Sequence, residues 1–353
     1  MMIIHDDCRY FEGHIPCRYH KLEGVHCQDC PHYDQITTRI LIIKLGALGD
    51  VIRTTPLLKA LGTEYPNSQI FWLTLSPEFL PATVDKKLPF SLDSIIYLEQ
   101  CHFDVLINLD KDAEACALAQ RIQADKRCGF TLRHGVPAPV NSLAEHKFLT
   151  GLFDDLGQAN TKSYPQEIFE ICGLTFQGEK YDIALQEDGY QWDFPSDGAM
   201  VGLNTGCGRR WLTRLWPEAY WSELASQLME TGYHVLLLGG PDEHEKNQRI
   251  QAASKALYPG TFPLNRFMSL LSQCDLVVTT VTMALHVAIA LEKKIVLLNN
   301  IFNRHEFELY GLGRILEPPS CTCYFAQTCD QDCMADLKVA EVYDAVTSLL
   351  PTP

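Results

Sequence analysis

The chain has 353 residues, of which 46% are hydrophobic and 21% charged, and its formal net charge is −15. This length predicts two domains, and the composition is typical of a soluble globular protein. So acidic a chain is not expected to bind nucleic acid generally or to adhere to anionic lipid through its overall charge. No apolar run is long enough to span a bilayer and no signal-peptide pattern is present, so we expect a cytoplasmic protein.

Residues 1–36 form a polar extension that is rich in Cys and His. Cys27 and Cys30 make a C-x-x-C pair, which is half of a common zinc-site pattern. Metal binding, disulfides and free thiols all remain open for the cysteines, although a reducing cytoplasm disfavours disulfides. We favour a structural metal ion in the extension, zinc before iron or an iron–sulfur group. The candidate ligands are Cys8, Cys17, Cys27 and Cys30, and a second candidate cluster is Cys321, Cys323, Cys329 and Cys333.

From residue 37 the chain alternates between strand-like and helix-like runs. Such alternation predicts βα units around a parallel sheet, here forming a domain over 37–185. The predicted strands are 40–45, 69–75, 94–98 and 104–109, and the predicted helices include 113–124 and 145–156.

A polar stretch with Gly and Pro, 186–198, predicts a linker, after which the alternation restarts in a second domain, 199–353. Two α/β domains joined by a linker predict a cleft in which a ligand binds. The predicted strands are 200–204, 233–238, 275–280 and 295–298, and the predicted helices are 216–229, 243–256, 283–291 and 338–350.

The run RILIIKLGALGDVIRTTPLLKAL places Asp50 between a buried strand and a helix. Ligands of open α/β sheets bind at the carboxyl ends of the strands, where a carboxylate can accept a proton from a ligand hydroxyl. The alternative is that Asp50 only caps the helix, and the spacing alone favours this cap.

The segment LNTGCGRRWLTRLWPEAYW combines a turn of small residues with three arginines. Backbone N–H groups of such a turn can approach an anion, and guanidinium groups bind phosphate in a fork geometry. A solvated basic loop is the alternative, but in so acidic a chain we favour phosphate binding. The arginines are Arg209, Arg210 and Arg214.

Two further strand–turn–helix units follow. In LLLGGPDE, Glu243 is a candidate for a ribose hydroxyl, although an acidic residue in a first helical turn is also favoured by the helix dipole. In TTVTMALHVAIAL, Thr282 offers a hydroxyl at the turn, whereas a lone helical histidine such as His286 is more often structural than catalytic.

In order and spacing, these units resemble glycosyltransferase family nine, the bacterial heptosyltransferases of the lipopolysaccharide inner core. The resemblance runs from about residue 39 to 350 and implies a GT-B fold of two facing Rossmann-like domains with a central cleft, here with a Cys-rich extension. It implies an acceptor in the N-terminal domain, a nucleotide-sugar in the C-terminal domain, and inverting transfer without a catalytic cofactor. The expected partners are a nucleotide-sugar, ADP-heptose first, and a glycan or glycolipid acceptor, reached by peripheral contact with the inner membrane.

The resemblance assigns roles to individual residues. Asp50 matches the proposed general base, which replaces the cap interpretation. The expected donor-binding residues are Thr205, Gly206, Arg210, Arg214, Glu243, Thr282 and His286. The expected acceptor-side residues are Lys44, Gly49 and Arg53.

The chain departs from the family pattern in its third motif, usually D-[ST]-G-x-x-H. Val281 replaces the Asp and Met283 replaces the Gly, and the later G-P-[ST] turn reads Asn-Asn-Ile-Phe over 299–302. We therefore keep, as alternatives, a changed sugar donor and a nucleotide-sugar-binding protein with weak or lost catalysis. An epimerase of the same architecture lacks motif support.

Overall fold

Two β-sheets organise the part of the chain that the structure, a computed structural model, describes, namely residues 3–185, 189–208 and 210–351. The first sheet contains β1 (Thr38–Ile43), β2 (Ser68–Thr74), β3 (Lys86–Pro89), β4 (His102–Asn108), β5 (Gln123–Arg133) and β6 (Val136–Pro139). The second contains β7 (Met200–Asn204), β8 (His234–Leu238), β9 (Leu276–Thr280), β10 (Lys294–Leu298) and β11 (Gly313–Leu316). The helices are α1 (Arg18–Glu23), α2 (Leu48–Ile52), α3 (Pro56–Glu64), α4 (Leu92–Glu99), α5 (Ala113–Arg121), α6 (Glu145–Leu149), α7 (Asp154–Ala159), α8 (Tyr164–Cys172), α9 (Glu218–Glu230), α10 (His244–Ser254), α11 (Leu264–Ser272), α12 (Met283–Ala290) and α13 (Val339–Leu349).

The first sheet has the strand order β3-β2-β1-β4-β5-β6. All its pairings are parallel except that of β5 with β6. The apolar side chains of β1 from Ile40 to Ile43 are fully buried, as expected for a central parallel strand covered on both faces. This is a doubly wound order, and its switch point lies between β1 and β4.

The second sheet is parallel throughout, with the order β11-β10-β9-β7-β8. Strands β7 to β10 are buried along almost their whole length because helices, among them α9 and α13, pack apolar side chains against them, whereas the edge strand β11 is partly exposed. The sequence order reverses between β7 and β9, so the carboxyl ends of these two strands form the expected ligand crevice.

The chain divides into two units that interleave along the sequence. The first unit comprises residues 1–46, 55–148 and 168–179, and the second comprises 47–54, 149–167 and 180–353. Helix α2, which follows β1 directly, therefore belongs to the second unit. The predicted fold class is confirmed, since both units have Rossmann-like α/β sheets as in GT-B proteins. The domain boundaries at 37, 185 and 199 stay predictions.

Some predicted elements differ from the structure. The predicted strand 94–98 lies within α4, where the Ser91 side chain accepts a hydrogen bond from the Ser94 N–H. A short apolar run fits a strand or a half-buried helix equally well by pattern. The predicted helix 145–156 is broken into α6 and α7. Of the predicted linker, residues 189–198 have no helix or strand, and 186–188 lie outside the described residues.

The N-terminal extension belongs to the first unit. Arg9 anchors the extension there, because its guanidinium is 2.6 Å from Asp85 and donates to the Ser68 carbonyl at 3.0 Å. The same guanidinium is 2.9 Å from Asp34, within the extension. Within the described residues, no helix combines the length and the apolar character that a bilayer crossing requires.

Candidate functional site

A pocket of about 720 Å³ opens at the carboxyl ends of β7 and β9, and all of its lining residues belong to the second unit. The turns after β7 and β8, the first turn of α12 and the helix α2 line it. Its volume lies in the range of small-molecule sites, and its position is the switch point at which a doubly wound sheet binds its ligand.

Arg214 lies buried in the wall of this pocket. Its guanidinium donates to the carbonyls of Cys207 and Val281, which follow β7 and β9, and to the Trp211 carbonyl at 3.3 Å. Burial lowers the pKa of Arg214. In the described part of the chain no carboxylate pairs with this guanidinium. A buried cation held only by carbonyls is costly unless a ligand supplies the opposite charge, so the pocket is built for an anion.

The turn after β7 approaches the turn after β8. A Cβ placed on Gly206 would lie 2.4 Å from the carboxyl carbon of Glu243, so a larger residue here would displace the Glu243 side chain. Glu243 lines the pocket and also accepts a hydrogen bond from the Gly240 N–H at 2.9 Å. Thr205 does not line the pocket, because its hydroxyl donates to the side-chain oxygen of Asn247 at 2.6 Å. Its backbone is engaged as well, because its N–H donates to the Leu238 carbonyl at 3.2 Å and its carbonyl accepts from the Lys246 ammonium at 2.7 Å.

Asp50 belongs to a charged cluster that also lines the pocket. Its carboxylate is 2.9 Å from the guanidinium of Arg53, which is also 2.7 Å from Glu306 and lies over the Tyr164 ring at 3.8 Å. Burial acts to lower the pKa of Arg53, but these two carboxylates raise it above its ordinary value. The cap of α2 is Ala47, so Asp50 lies inside the helix and does not cap it.

Sequence reasoning missed Glu306 and Tyr164. Glu306 is separated from Arg53 by 253 residues and lies in a short turn with no motif of its own. Arg53, expected on the acceptor side, instead fixes the orientation of the Asp50 carboxylate within the second unit.

His286 is buried against α2. A Cβ on Gly49 would lie 2.6 Å from the His286 ring, so glycine at this position allows α2 to pack against α12. Burial, together with the charge of Arg53, lowers the pKa of His286 to about 3. The residue lines the pocket, and its buried Nδ1 atom has no hydrogen-bond partner among the described residues. His286 is therefore a neutral, buried group at the edge of the pocket.

The N-terminus of α12 also faces the pocket. Thr282 is the N-cap of this helix, but its side chain caps no backbone N–H and instead lies 3.3 Å from the Asn204 amide. Thr282, Met283 and Ala284 line the pocket, so the N–H groups and positive dipole end of the helix are directed at a bound anion.

Lys44 belongs to the first unit and is not among the residues that line this pocket. Its ammonium is buried and 2.5 Å from the Asp110 carboxylate, which also accepts from the Leu45 N–H. The side chain expected on the acceptor side is thus engaged in a buried ion pair at the switch point of the first sheet.

Aromatic side chains form one wall of the pocket. Trp211, Phe302 and Phe325 make edge-to-face contacts with centroid separations of 5.4–6.3 Å. The exposed Arg210 guanidinium lies 5.2 Å from the Trp211 ring. Arg209, the third arginine of the motif, lies outside the described residues.

The two cysteine sets differ in the structure. Among the described residues, the donor atoms gathered within 4.8 Å of one another are those of Cys321, Cys323 and Cys333. No cysteine of the extension belongs to such a group, although Cys8, Cys17, Cys27 and Cys30 line a common cavity of about 170 Å³. The C-terminal set therefore has the geometry for a metal ion, and the metal site in the extension stays a prediction.

Comparison with known proteins identifies the family. The sequence model described as "Glycosyltransferase family 9 (heptosyltransferase)" matches residues 95–311. The chain belongs to glycosyltransferase family 9. It is 32% identical over 144 residues to lipopolysaccharide heptosyltransferase 2 of Salmonella typhimurium, which covers 39% of this chain and 40% of that protein. The chain thus matches less than half the length of this relative, as it does for the Escherichia coli protein of the same name.

Solved structures share the fold. A glycosyl transferase family 9 protein from Veillonella parvula superposes with a TM-score of 0.68 at 18% identity, covering 90% of this chain and 98% of that one. The ADP-heptose lps heptosyltransferase II of E. coli gives a TM-score of 0.64 at 19% identity, with coverages of 88% and 98%.

Proposed function

We propose that this protein is an inverting glycosyltransferase that moves a heptose, or a related sugar, from a nucleotide-sugar to a glycan acceptor. ADP-heptose is the proposed donor, and a lipopolysaccharide-core-like glycolipid is the proposed acceptor. The observation that carries the proposal is that one pocket holds both an anion site around Arg214 and a carboxylate, Asp50, held in place by Arg53.

In this proposal the diphosphate of the donor lies against the small-residue turn after β7, the first turn of α12 and Arg214. These groups stabilise the negative charge that develops on the departing nucleoside diphosphate. Glu243, on the turn after β8, hydrogen-bonds the ribose, and the neutral His286 borders the bound donor. No catalytic cofactor is proposed.

Asp50 acts as the general base. Its carboxylate takes the proton of an acceptor hydroxyl, whose oxygen forms a bond to the anomeric carbon as the bond to the diphosphate oxygen breaks. Attack on the face opposite the leaving group inverts the anomeric centre. The Arg53 guanidinium, itself held by Glu306, orients the Asp50 carboxylate for this step.

Val281 bears on the choice of donor. Where the family pattern has Asp, this chain offers only a backbone carbonyl to Arg214, so the compensating negative charge comes from the ligand. This supports tight binding of the diphosphate and leaves room for a related sugar. Family membership and the Asp50 cluster favour a transferase over a non-catalytic binding protein.

We further propose that the enzyme works in the cytoplasm at the inner face of the inner membrane, where a lipid-linked acceptor is reached. With a net charge of −15, recruitment through the acceptor itself is more consistent than adhesion to anionic lipid. For the cysteines, zinc is the proposed structural metal and iron the alternative.

The proposal is tested by measuring ADP release from ADP-heptose with a heptose-deficient lipopolysaccharide core as acceptor. Asp50→Asn should lower kcat by about 10³-fold, as for the loss of a general base, while ADP affinity measured by calorimetry changes less than about twofold. The control is Asp93→Asn, an exposed aspartate at the start of α4, which should keep full turnover. Unchanged turnover by Asp50→Asn would contradict the role of Asp50, and absence of ADP binding to the wild type would contradict the donor site.

A further inference from the structure

The segment that joins β11 to α13 gathers four cysteine side chains. The sulfur of Cys333 is 3.1 Å from that of Cys329 and 3.5 Å from that of Cys323. The sulfurs of Cys321, Cys323 and Cys333 all lie within 4.8 Å of one another. In a tetrahedral zinc site with Zn–S bonds of about 2.3 Å, neighbouring sulfurs are about 3.8 Å apart. The sulfurs of Cys321, Cys323 and Cys333 are therefore spaced as ligands around one ion, the Cys329 sulfur lies next to that of Cys333, and all four are free cysteines.

The backbone around these thiols supports a thiolate cluster. The N–H of Cys333 points at the sulfur of Cys329 at 3.5 Å, a contact that stabilises a negative sulfur. The following turn is anchored in the core of the second unit, where Met334 is fully buried and the Leu337 carbonyl accepts from the Trp216 indole at 2.9 Å. The C-terminal end of the segment is thus held in place by the core, and it carries the candidate metal-binding residue Cys333.

The other part of the segment has little to hold it by packing. Residues 317–332 have no helix or strand, and most of the side chains from 319 to 332 are exposed or half-buried. Small irregular segments of this kind need a covalent or metal cross-link to adopt one conformation. With thiols as the only abundant donor, a soft metal ion is the cross-link that the sequence offers in a reducing compartment.

Phe325, between the second and third cysteines, is held in an unusual conformation. Its φ of +50° is in the left-handed region, which bulky residues rarely adopt. Its N–H donates to the Ile301 carbonyl at 2.9 Å, and the carbonyl of the next residue, Ala326, accepts from the Thr213 hydroxyl at 3.1 Å. The ring is nevertheless 49% exposed, and it lines the large pocket beside Trp211. The segment therefore presents an aromatic face to the ligand.

We propose that Cys321, Cys323, Cys329 and Cys333 bind one structural zinc ion, and that this ion holds Phe325 in the wall of the donor pocket. Nucleotide-sugar affinity then depends on the bound metal. The metal site stands on the thiol geometry alone, whereas its effect on the donor rests on the proposed function.

The metal site is tested on the full chain, purified without chelator under reducing conditions, by elemental analysis. The variants are the double substitution Cys323→Ser/Cys329→Ser and the matched control Cys27→Ser/Cys30→Ser. The C-terminal double variant should lose about one equivalent of zinc per chain relative to the wild type, and the control should retain that equivalent. No zinc in the wild type after zinc addition, or an equal zinc content in the wild type and the C-terminal variant, would overturn the site. Iron in place of zinc would overturn the choice of metal.

The effect on the pocket is tested by ADP calorimetry on zinc-loaded protein, chelator-treated protein and Phe325→Ala, whose cysteines are intact. Chelation and Phe325→Ala should each weaken ADP binding by about tenfold, consistent with loss of an aromatic contact, and zinc should restore the chelated protein. Near-ultraviolet circular dichroism identifies a sample that has simply unfolded. Equal ADP affinity with and without zinc in folded protein would overturn the coupling. Zinc binding in a wild type that binds no ADP would support the metal site while contradicting the proposed function.

Discussion

Each sheet places a buried cation at its switch point, but the two cations are balanced differently. In the first unit the Lys44 ammonium is paired with the Asp110 carboxylate. In the second unit the Arg214 guanidinium is held by backbone carbonyls beside an open pocket. Burial of a charge at a switch point therefore does not by itself indicate a ligand site. A buried cation beside a pocket, with no carboxylate partner among the described residues, marks one.

The largest expected effect is on stability, at Lys44. Lys44→Met should lower the free energy of unfolding by about 3–5 kcal/mol, because it leaves the Asp110 carboxylate buried and unpaired. Denaturant unfolding checks this. The double variant Lys44→Met/Asp110→Leu should regain most of the loss, since an apolar pair of similar size replaces the ion pair. A small effect of Lys44→Met alone would mean that water already solvates the ion pair. It would contradict the proposed difference between the paired Lys44 and the carbonyl-held Arg214.

The reciprocal substitution is Arg214→Met. It should weaken ADP binding by about 100-fold, because charge-assisted hydrogen bonds to phosphate are lost. It should not destabilise the protein, since it removes a desolvated cation that lacks a carboxylate partner. Calorimetry measures the first effect and denaturant unfolding the second. A large loss of stability with unchanged ADP affinity would assign Arg214 a structural role like that of Lys44.

The neutral His286 predicts a pH effect within the second unit. The pKa of His286 is about 3 in the folded protein and about 6.5 in an unfolded chain. The unfolded state therefore binds the extra proton first as pH falls below 6.5, and folding stability is lost in that range. At pH 5 the loss is about 2 kcal/mol.

His286→Asn should remove this part of the pH dependence between pH 7 and pH 5, as measured by unfolding at each pH. The same slope in His286→Asn and in the wild type would contradict the buried neutral ring.

A smaller effect is expected at the two glycines of the KLGALGD turn. Gly49→Ala would bring a Cβ to 2.6 Å from the His286 ring, whereas at Gly46 the nearest atom, on the flexible side chain of Leu75, is 3.4 Å away. Gly49→Ala should therefore destabilise the protein by about 1–2 kcal/mol through overpacking. Gly46→Ala should be nearly neutral. Equal thermal midpoints for the two variants would contradict the close packing of α2 on α12.

Sequence reasoning could predict what local pattern encodes. Buried strands such as β1 and the turn glycines are local, so the α/β fold class and the residues Asp50, Arg214 and Glu243 emerged from motifs. Sequence reasoning missed strand β5 because the first half of this strand is polar and pairs with β4 alone. The partner of Arg53, Glu306, comes from a turn far along the chain, and only the tertiary fold brings the two together.

The cysteines show a second limit of sequence reasoning. The regular C-x-x-C spacing in the extension indicated metal binding there, but spacing reports only neighbours in sequence. Convergence of the four C-terminal thiols depends on the path of an irregular loop between β11 and α13, which no periodicity predicts.

The most direct test of the central claim is a calorimetric comparison of ADP with adenosine on the wild-type protein. If the counter-charge of Arg214 comes from the ligand, ADP should bind at least about 100-fold more tightly than adenosine, with ADP favoured over UDP, GDP and CMP. Equal affinities for ADP and adenosine would mean that the pocket does not recognise the diphosphate, and would contradict the assignment of Arg214 as its anion site.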